Sequence, residues 1–266
     1  MSAIAAHLWA EAVQDRRHPL HLVLLVVAPL VPVAVHRYVV DLVGALDPAR
    51  VGSDWFAFGA LGLAVLAVMD GTLRAAGATL QRAQDQGVLP IRLATPSSWL
   101  TLPIALGAWP AVVHAVAAAA AVALGFAMGA DLTTRGLPAL VGVAALGLVA
   151  TAGLACAAAG VGLLARRGEP LVRLFTLATA LLSGAVFPIE VLPGPLRAAA
   201  LALPHTHAIR LARAVAMPTP PVGDPTATTS LLWLVLLSVA ALGLGVVLLR
   251  AALDVARRDG LLASAA

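Results

Sequence analysis

The stretch Ser183–Arg213, SGAVFPIEVLPGPLRAAALALPHTHAIRLAR, decides the fold class because it follows an apolar run without continuing it. It carries four prolines, one glutamate, three arginines and two histidines, yet alanine and leucine recur between them. Proline inside a helix removes a backbone hydrogen bond and clashes with the preceding turn. The stretch is therefore too polar for an ordinary membrane span and too apolar for an ordinary loop.

The composition indicates that lipid surrounds most of the chain. Of the 266 residues, 61% are hydrophobic and 11% are charged, whereas a soluble domain is nearer half apolar and a quarter charged. One soluble core cannot hide this excess, because a chain of this length still needs a polar surface. The sequence predicts an all-α polytopic membrane protein, and without a basic patch nucleic acid is not expected as a partner.

Apolar runs of about 20 residues predict transmembrane helices, and the chain has five clear runs and one short run. The first contains Pro29 and Pro32, which predict a kink, and the fifth is barely long enough to cross. All six belong to a single transmembrane domain over 1–266. The predicted spans are about 21–43, 54–73, 99–128, 137–165, 171–187 and 230–249.

The arginines predict the orientation. Six spans place both termini on one side, which holds eleven arginines against six on the other. Because basic loops favour the cytoplasm, both termini are expected to be cytoplasmic. Residues 1–19 have apolar and polar side chains on opposite faces of a helix, which predicts an amphipathic helix at the inner membrane surface. A plain cytoplasmic tail is the alternative.

The loop 74–98 between the second and third spans is long and polar. Arg74–Gln86 can continue the second span as a helix, which Gly87 and Pro90 then break. The residues after Thr95 can start the next helix. A protruding turn and short helix of this kind can dock onto another protein, and a simple connector is the alternative.

The sequence contains no convincing catalytic or metal-binding pattern. It has no Gly-rich phosphate loop with a lysine, so the chain is not expected to bind nucleotide in the Walker manner. No chain of carboxylates crosses the membrane, which leaves an ion- or proton-coupled carrier weakly supported. Asp70 is expected to face water or Arg74 one helical turn later. His205 and His207 are expected to be solvated or hydrogen-bonded rather than bound to metal.

Two motifs occur in order along the chain. The loop 74–98 contains Gly87-Val88-Leu89-Pro90 and, five residues later, Thr95-Pro96. The opening stretch contains Ser183-Gly184, Phe187-Pro188 and Leu192-Pro193, then Pro204 and Arg213. With these motifs, six spans and the predicted orientation, the whole chain resembles the permease subunits of ABC-type-2 exporters, which include multidrug, daunorubicin-type and polysaccharide exporters.

The first motif resembles the family's G-T-L-E followed by T-P, with Val88 in place of the threonine and Pro90 in place of the glutamate. In the family this region is the coupling helix that sits in a groove of the ATPase subunit. The resemblance therefore implies ATPase-coupling residues at Asp85, Gly87, Leu89, Pro90, Arg92, Thr95 and Pro96.

The second motif resembles the family's S-G-x-x-F-P-x-x-x-L-P, then a proline with an arginine nine residues on. Arg210 stands where the family often has an acidic residue, three positions before Arg213. Two arginines cannot pair with each other. An anionic lipid, the substrate or Glu190 is therefore expected to compensate Arg210.

The prolines divide this stretch into two predicted short helices, Leu196–Leu203 and Thr206–Met217. They predict a re-entrant or interfacial hairpin over 188–217 at the outer face, which would cap the pathway because non-helical backbone at that depth must contact protein or water. Its predicted outer-gate residues are Gly184, Phe187, Pro188, Glu190, Pro193, Pro204, Arg210 and Arg213.

The resemblance implies a permease subunit of an ATP-driven exporter in the cytoplasmic membrane of a bacterium. Two such subunits, identical or homologous, would form the pathway for an amphipathic, drug-like or lipid-linked substrate. Two copies of a separate P-loop ATPase would bind ATP and Mg, so this chain itself would be neither an enzyme nor a cofactor-binding protein. An ion- or proton-coupled secondary transporter and a non-transporting membrane scaffold are the alternatives.

Overall fold

The computed structural model of the protein describes residues 12–13, 19–46, 54–85, 101–165, 169–219 and 225–258. Every regular element in these ranges is helical. The α-helices are α1 (Pro19–Val27), α2 (Leu30–Leu46), α3 (Trp55–Asp85), α4 (Thr101–Ala127), α5 (Leu137–Ala165), α6 (Glu169–Leu182), α7 (Gly194–Leu201), α8 (Pro204–Ala216) and α9 (Ala227–Arg258). Short 3₁₀ turns at Thr134–Gly136 and Ile189–Val191 precede α5 and α7.

Within the described ranges, five segments are long and apolar enough to cross a membrane, so the chain is a multi-pass membrane protein. Each overlaps one predicted span, and the segments in α3 and α9 continue six and seven residues beyond the predicted C-terminal ends. The first is interrupted by a turn at Ala28–Pro29, where the prolines predict a kink. The five are Pro19–Leu46, Trp55–Thr79, Gly107–Ala127, Thr134–Leu164 and Ala227–Ala256.

The predicted span 171–187 corresponds to the shorter helix α6. This helix has 14 residues and ends at Leu182, which gives a length of about 21 Å at the α-helical rise. The hydrocarbon core of a bilayer is about 30 Å thick, so α6 does not cross it unaided. The helix ends early because Gly184 takes a φ of 77°, a backbone conformation that residues with a side chain rarely adopt.

The central helix of the bundle is α3. Of its membrane-spanning window, 83% is buried inside the chain, against 11% for the α1–α2 span and 17% for α9. It contacts α2, α4, α5, α6 and α8, and Phe56, Leu61 and Met69 are among its fully buried side chains. The helices α2, α4, α5, α6 and α8 are therefore positioned against α3, whereas α9 packs mainly on α5.

Glycines allow close packing between several helices, as two examples show. A Cβ at Gly153 of α5 would overlap the backbone of Ala241 in α9, so these two helices meet backbone to backbone. The imidazole of His114 in α4 lies where a Cβ of Gly71 in α3 would be. Close approach through small residues is the usual way that helices associate in lipid, which offers no hydrophobic drive for the contact.

Candidate functional site

The end of α6 is a turn that requires Gly184. The backbone N–H of Ser183 donates to the Thr179 carbonyl at 2.9 Å, and Gly184 then takes its positive φ. A Cβ at Gly184 would also lie 2.6 Å from Cγ2 of Ile189. The paired Ser183-Gly184 of the second motif therefore ends the helix and turns the chain, and a side chain at Gly184 would be both strained and crowded.

The prolines of this stretch lie at element boundaries, where a missing N–H costs no helical hydrogen bond. Pro188 is extended, with φ −62° and ψ 137°, and precedes the turn Ile189–Val191. Pro193 is the N-cap residue of α7, and Pro204 begins α8. Phe187 is half-buried beside the exposed Pro188. The structure thus has two short helices where the sequence predicts them, each beginning two residues earlier than predicted.

The helices α7 and α8 form a hairpin in which α8 packs against α3, while α7 contacts α6 and α8. Near the C-terminal end of α8, Arg213 contacts Phe58, and at its N-terminal end His205 contacts Asp70. The helix α8 is therefore antiparallel to α3. Phe58 and Asp70 lie about 18 Å apart along the axis of α3 at the α-helical rise, so α8 is held along a long stretch of α3.

The two helices of the hairpin are tied together by side chains at the start of α8. Thr206 Oγ1 donates to the Ala200 carbonyl at 2.6 Å, and His207 Nε2 donates to the Leu201 carbonyl at 2.9 Å. The Nε2 atom must carry the proton, because a carbonyl oxygen only accepts. The Leu201 carbonyl lies in the last turn of α7, where helical partners are missing, and the Ala200 carbonyl also accepts from the Leu203 N–H at 3.1 Å. The His207 ring also stacks on Trp233 of α9, with ring centroids 5.9 Å apart.

The C-terminal end of α8 is bound to the connection between α4 and α5. The Thr133 N–H donates to the Ala216 carbonyl at 2.8 Å, and a Cβ at Gly136 would overlap the carbonyl of Val215. Phe56 of α3 belongs to the same buried cluster as Ala216. We call this end of the bundle, formed by Phe56, Thr133 and Ala216, the Thr133 end.

Arg213 joins three parts of the chain. Arg213 is only 3% exposed. Its Nε and Nη2 donate to the Phe58 carbonyl at 3.1 and 3.0 Å. Its Nη2 also lies 2.8 Å from the Gly184 carbonyl and 2.9 Å from that of Ala185. The guanidinium lies 3.2 Å from the centroid of the Phe58 ring, within the range of a cation–π contact. A buried charge needs such partners, so Arg213 holds α8, α3 and the turn after α6 in one arrangement.

The turn after α6 packs directly against α3. The backbone of Ala185 lies so close to Gly62 that a Cβ at position 62 would overlap it. Ala185 is also buried in one cluster with Leu66 and Ile209. This non-helical backbone is thus covered by protein, which is the condition under which it is tolerated at membrane depth.

Arg210 has an acidic partner. Its Nη2 lies 2.7 Å from Oε1 of Glu190, and Arg197 lies 4.0 Å from the same oxygen. The sequence leaves three possible partners for the charge of Arg210, and the structure shows that Glu190 is its partner. The carboxylate comes from the turn before α7 instead of from α8, so the pair joins the two arms of the hairpin.

A buried polar cluster joins α3, α6 and α8. Asp70 is 2% exposed; its Oδ2 accepts a hydrogen bond from Thr179 Oγ1 at 2.7 Å, and its Oδ1 lies 3.1 Å from His205 Nε2. That second contact has ion-pair distance without the alignment of a hydrogen bond. The expectation that Asp70 faces water or Arg74 is wrong, because α6 and α8 cover its side of α3. An intramembrane carboxylate usually marks a functional site, and this rule would have identified Asp70 as a candidate functional residue from the sequence.

The two histidines of α8 point to different partners, His205 towards Asp70 and His207 towards Leu201 and Trp233. The structure therefore does not bring them together as a pair. Asp85 is the last residue of α3. The other predicted ATPase-coupling residues, Gly87, Leu89, Pro90, Arg92, Thr95 and Pro96, lie outside the described residues, as does most of the predicted N-terminal helix.

The family model described as "ABC-2 type transporter" matches residues 2–217, which include both sequence motifs and the whole hairpin. No curated protein matches the chain.

Proposed function

The chain belongs to the ABC-2 type transporter family, and we propose that it is the membrane-spanning permease subunit of an ATP-driven exporter. The observation that carries the proposal is the family match across the loop 74–98 and the hairpin. The central helix α3 supports it, because the same helix ends at Asp85, within the predicted coupling loop, and contacts α8 through Asp70 and Phe58.

The driving partner in this proposal is a separate P-loop ATPase, present in two copies, which binds ATP and Mg. Its groove receives the predicted coupling residues that follow Asp85. ATP can shift the permease between two states only through unequal affinity for them. A rigid helix of 31 residues such as α3 can carry that shift from the coupling loop to the hairpin.

A second permease subunit, identical or homologous, completes the pathway. The α1–α2 span and α9 support this because only 11% and 17% of their windows are buried inside one chain. Lipid can cover much of that surface, and a partner subunit would cover part of it. Oligomeric state in lipid is the direct test.

We place both termini in the cytoplasm of a bacterium and the Thr133 end at the outer face. In this arrangement α6 and the hairpin together make the sixth crossing, with the hairpin re-entering from outside. The hairpin acts as an outer gate for an amphipathic, drug-like or lipid-linked substrate. Its covered backbone and the buried Arg213 are consistent with a position inside the bundle.

The proposal is tested by copurification of the chain with a coexpressed P-loop ATPase, followed by ATP-dependent uptake of amphipathic dyes into inverted vesicles, which corresponds to export from the cell. Deletion of residues 86–96 is expected to abolish ATPase binding, whereas the exposed substitution Arg197→Gln should leave binding intact. ATPase binding that survives the deletion would contradict the assignment of the coupling residues. Dye movement that does not need ATP would contradict the proposal of an ATP-driven exporter.

The Asp70–His205 pair favours a second candidate, a proton-coupled carrier that needs no ATPase. Buried ionisable pairs of this kind occur in proton relays. Transport by the purified chain alone, driven by a pH gradient and lost in Asp70→Asn, would support this second candidate over the first.

A further inference from the structure

A large apolar cavity lies between α3, α4 and α5. Its volume is about 550 Å³, within the range of roughly 300–1,000 Å³ that is typical of ligand sites. Leu61 and Val68 of α3, Ala118 and Val122 of α4, and Leu140 and Ala144 of α5 are among its lining residues. The lining is almost wholly hydrocarbon, so it offers an occupant apolar contact and very few hydrogen bonds.

The cavity opens on the side of the bundle, between α4 and α5. Two of its lining residues, Phe126 and Val141, are 50% and 72% exposed. Both belong to membrane-spanning segments, so the opening faces the bilayer unless another subunit covers it. An occupant can therefore enter sideways from lipid without passing through water.

The length of the cavity matches one leaflet of a bilayer. Along α4 its lining extends from Ala115 to Phe126, about 16 Å at the α-helical rise. Half of a hydrocarbon core of about 30 Å is about 15 Å. A single extended acyl chain has this reach, while a folded soluble peptide or nucleotide would not suit the apolar walls.

A cation and a hydroxyl group lie where the cavity meets the interface. Thr134, in the turn between α4 and α5, lines the cavity, and the exposed Arg135 is the next residue. Connections between spans lie at the headgroup level, where a basic side chain attracts anionic lipid. The apolar walls and this basic end thus complement the two parts of one amphipathic molecule.

We propose that the cavity binds one acyl chain of an anionic phospholipid from the surrounding bilayer, with the phosphate of the headgroup near Arg135. The lipid site does not depend on the ATPase or on transport. The permease proposal and this one can therefore fail separately.

The test uses the full-length chain in nanodiscs of phosphatidylcholine that contain phosphatidylglycerol with a photoactivatable acyl chain. Crosslinks are expected on peptides of α4 and α5 that line the cavity. Ala144→Phe, which fills the cavity, should reduce this crosslinking to background. Ala145→Phe is the matched control because its exposed neighbouring position does not line the cavity, and it should crosslink like the unaltered chain.

Two further variants keep the test decisive if Ala144→Phe fails to fold. Ala119→Phe fills the cavity from the exposed side of α4 and should have the same effect. Arg135→Gln should lower the preference for phosphatidylglycerol over a phosphatidylcholine probe about fivefold, the effect of one basic residue at a membrane surface. Equal crosslinking in all folded variants would overturn the proposal.

Discussion

The guanidinium of Arg213 donates to the main-chain carbonyl of Phe58 from both Nε and Nη2, at 3.1 and 3.0 Å, across 155 residues of sequence. The same group reaches the carbonyls of Gly184 and Ala185. The guanidinium therefore holds α8 on α3, and it also donates hydrogen bonds to the backbone carbonyls just after the end of α6. If the hairpin moves during transport, these contacts must break or move with it.

Arg213→Lys is expected to destabilise the protein nearly as much as Arg213→Gln. A lysine ammonium is a point charge and cannot reproduce the planar fork that reaches three carbonyls. We expect a loss of about 3 kcal/mol in the free energy of unfolding for either change. Arg197→Gln is the control, because Arg197 is half exposed and lies 4.0 Å from Glu190. Denaturation in mixed micelles measures all three, and a stable Arg213→Lys would contradict the role of the fork.

The Glu190–Arg210 pair is expected to show coupling in a double-mutant cycle. Since the Glu190 side chain is 35% exposed and Arg210 is 8% exposed, solvent screens the pair and we expect a coupling energy of about 1 kcal/mol. The variants are Glu190→Gln, Arg210→Gln and the double change, compared by thermal unfolding in detergent. Strict additivity of the two single changes would show that the pair is not formed in solution.

Asp70→Asn is expected to weaken the contact between α3 and α8 without removing the side chain. The amide oxygen can still accept from Thr179, but the negative charge beside His205 is lost. We expect a loss of about 1–3 kcal/mol in unfolding free energy. Asp41→Asn is the matched control, since Asp41 is 51% exposed in a pair with Arg37, and its change should be below about 0.5 kcal/mol. Equal effects of the two changes would contradict a structural role for the buried cluster.

Gly184→Ala is expected to destabilise the turn after α6. The φ of 77° costs an L residue about 1–2 kcal/mol, and the new Cβ would crowd Ile189. Gly142→Ala is the control because a Cβ there meets nothing within 4 Å, and helix propensity should make it neutral or stabilising by up to about 1 kcal/mol. Thermal unfolding of both variants gives the comparison, and a Gly184→Ala protein as stable as the control would contradict the turn geometry.

The two short helices of the opening stretch could be predicted from sequence, because prolines act on their own backbone. The predicted helices begin two residues after those observed. Glu190 could be named as one possible partner of Arg210, since both lie in the same stretch. The family membership followed from two motifs in order, and the family match agrees with it.

Contacts across long sequence separations could not be predicted in the same way. Asp70 and Thr179 are 109 residues apart, and helical periodicity places Asp70 near Arg74 without saying which helix covers it. The carbonyl acceptors of Arg213 depend on the close approach at Gly62, which only the packed structure reveals. The end of α6 at Leu182 could not be predicted either, because the apolar composition continues past this residue while the helix does not.

The most direct test of the ATP-driven permease is to place a photocrosslinking amino acid at Arg92 in the predicted coupling loop and, separately, at Arg135, which lies at the Thr133 end of the bundle. Each variant is coexpressed with the P-loop ATPase and irradiated in membranes. The account predicts a crosslink to the ATPase from position 92 and none from position 135. A crosslink from position 135, or none from position 92 although the complex copurifies, would contradict it.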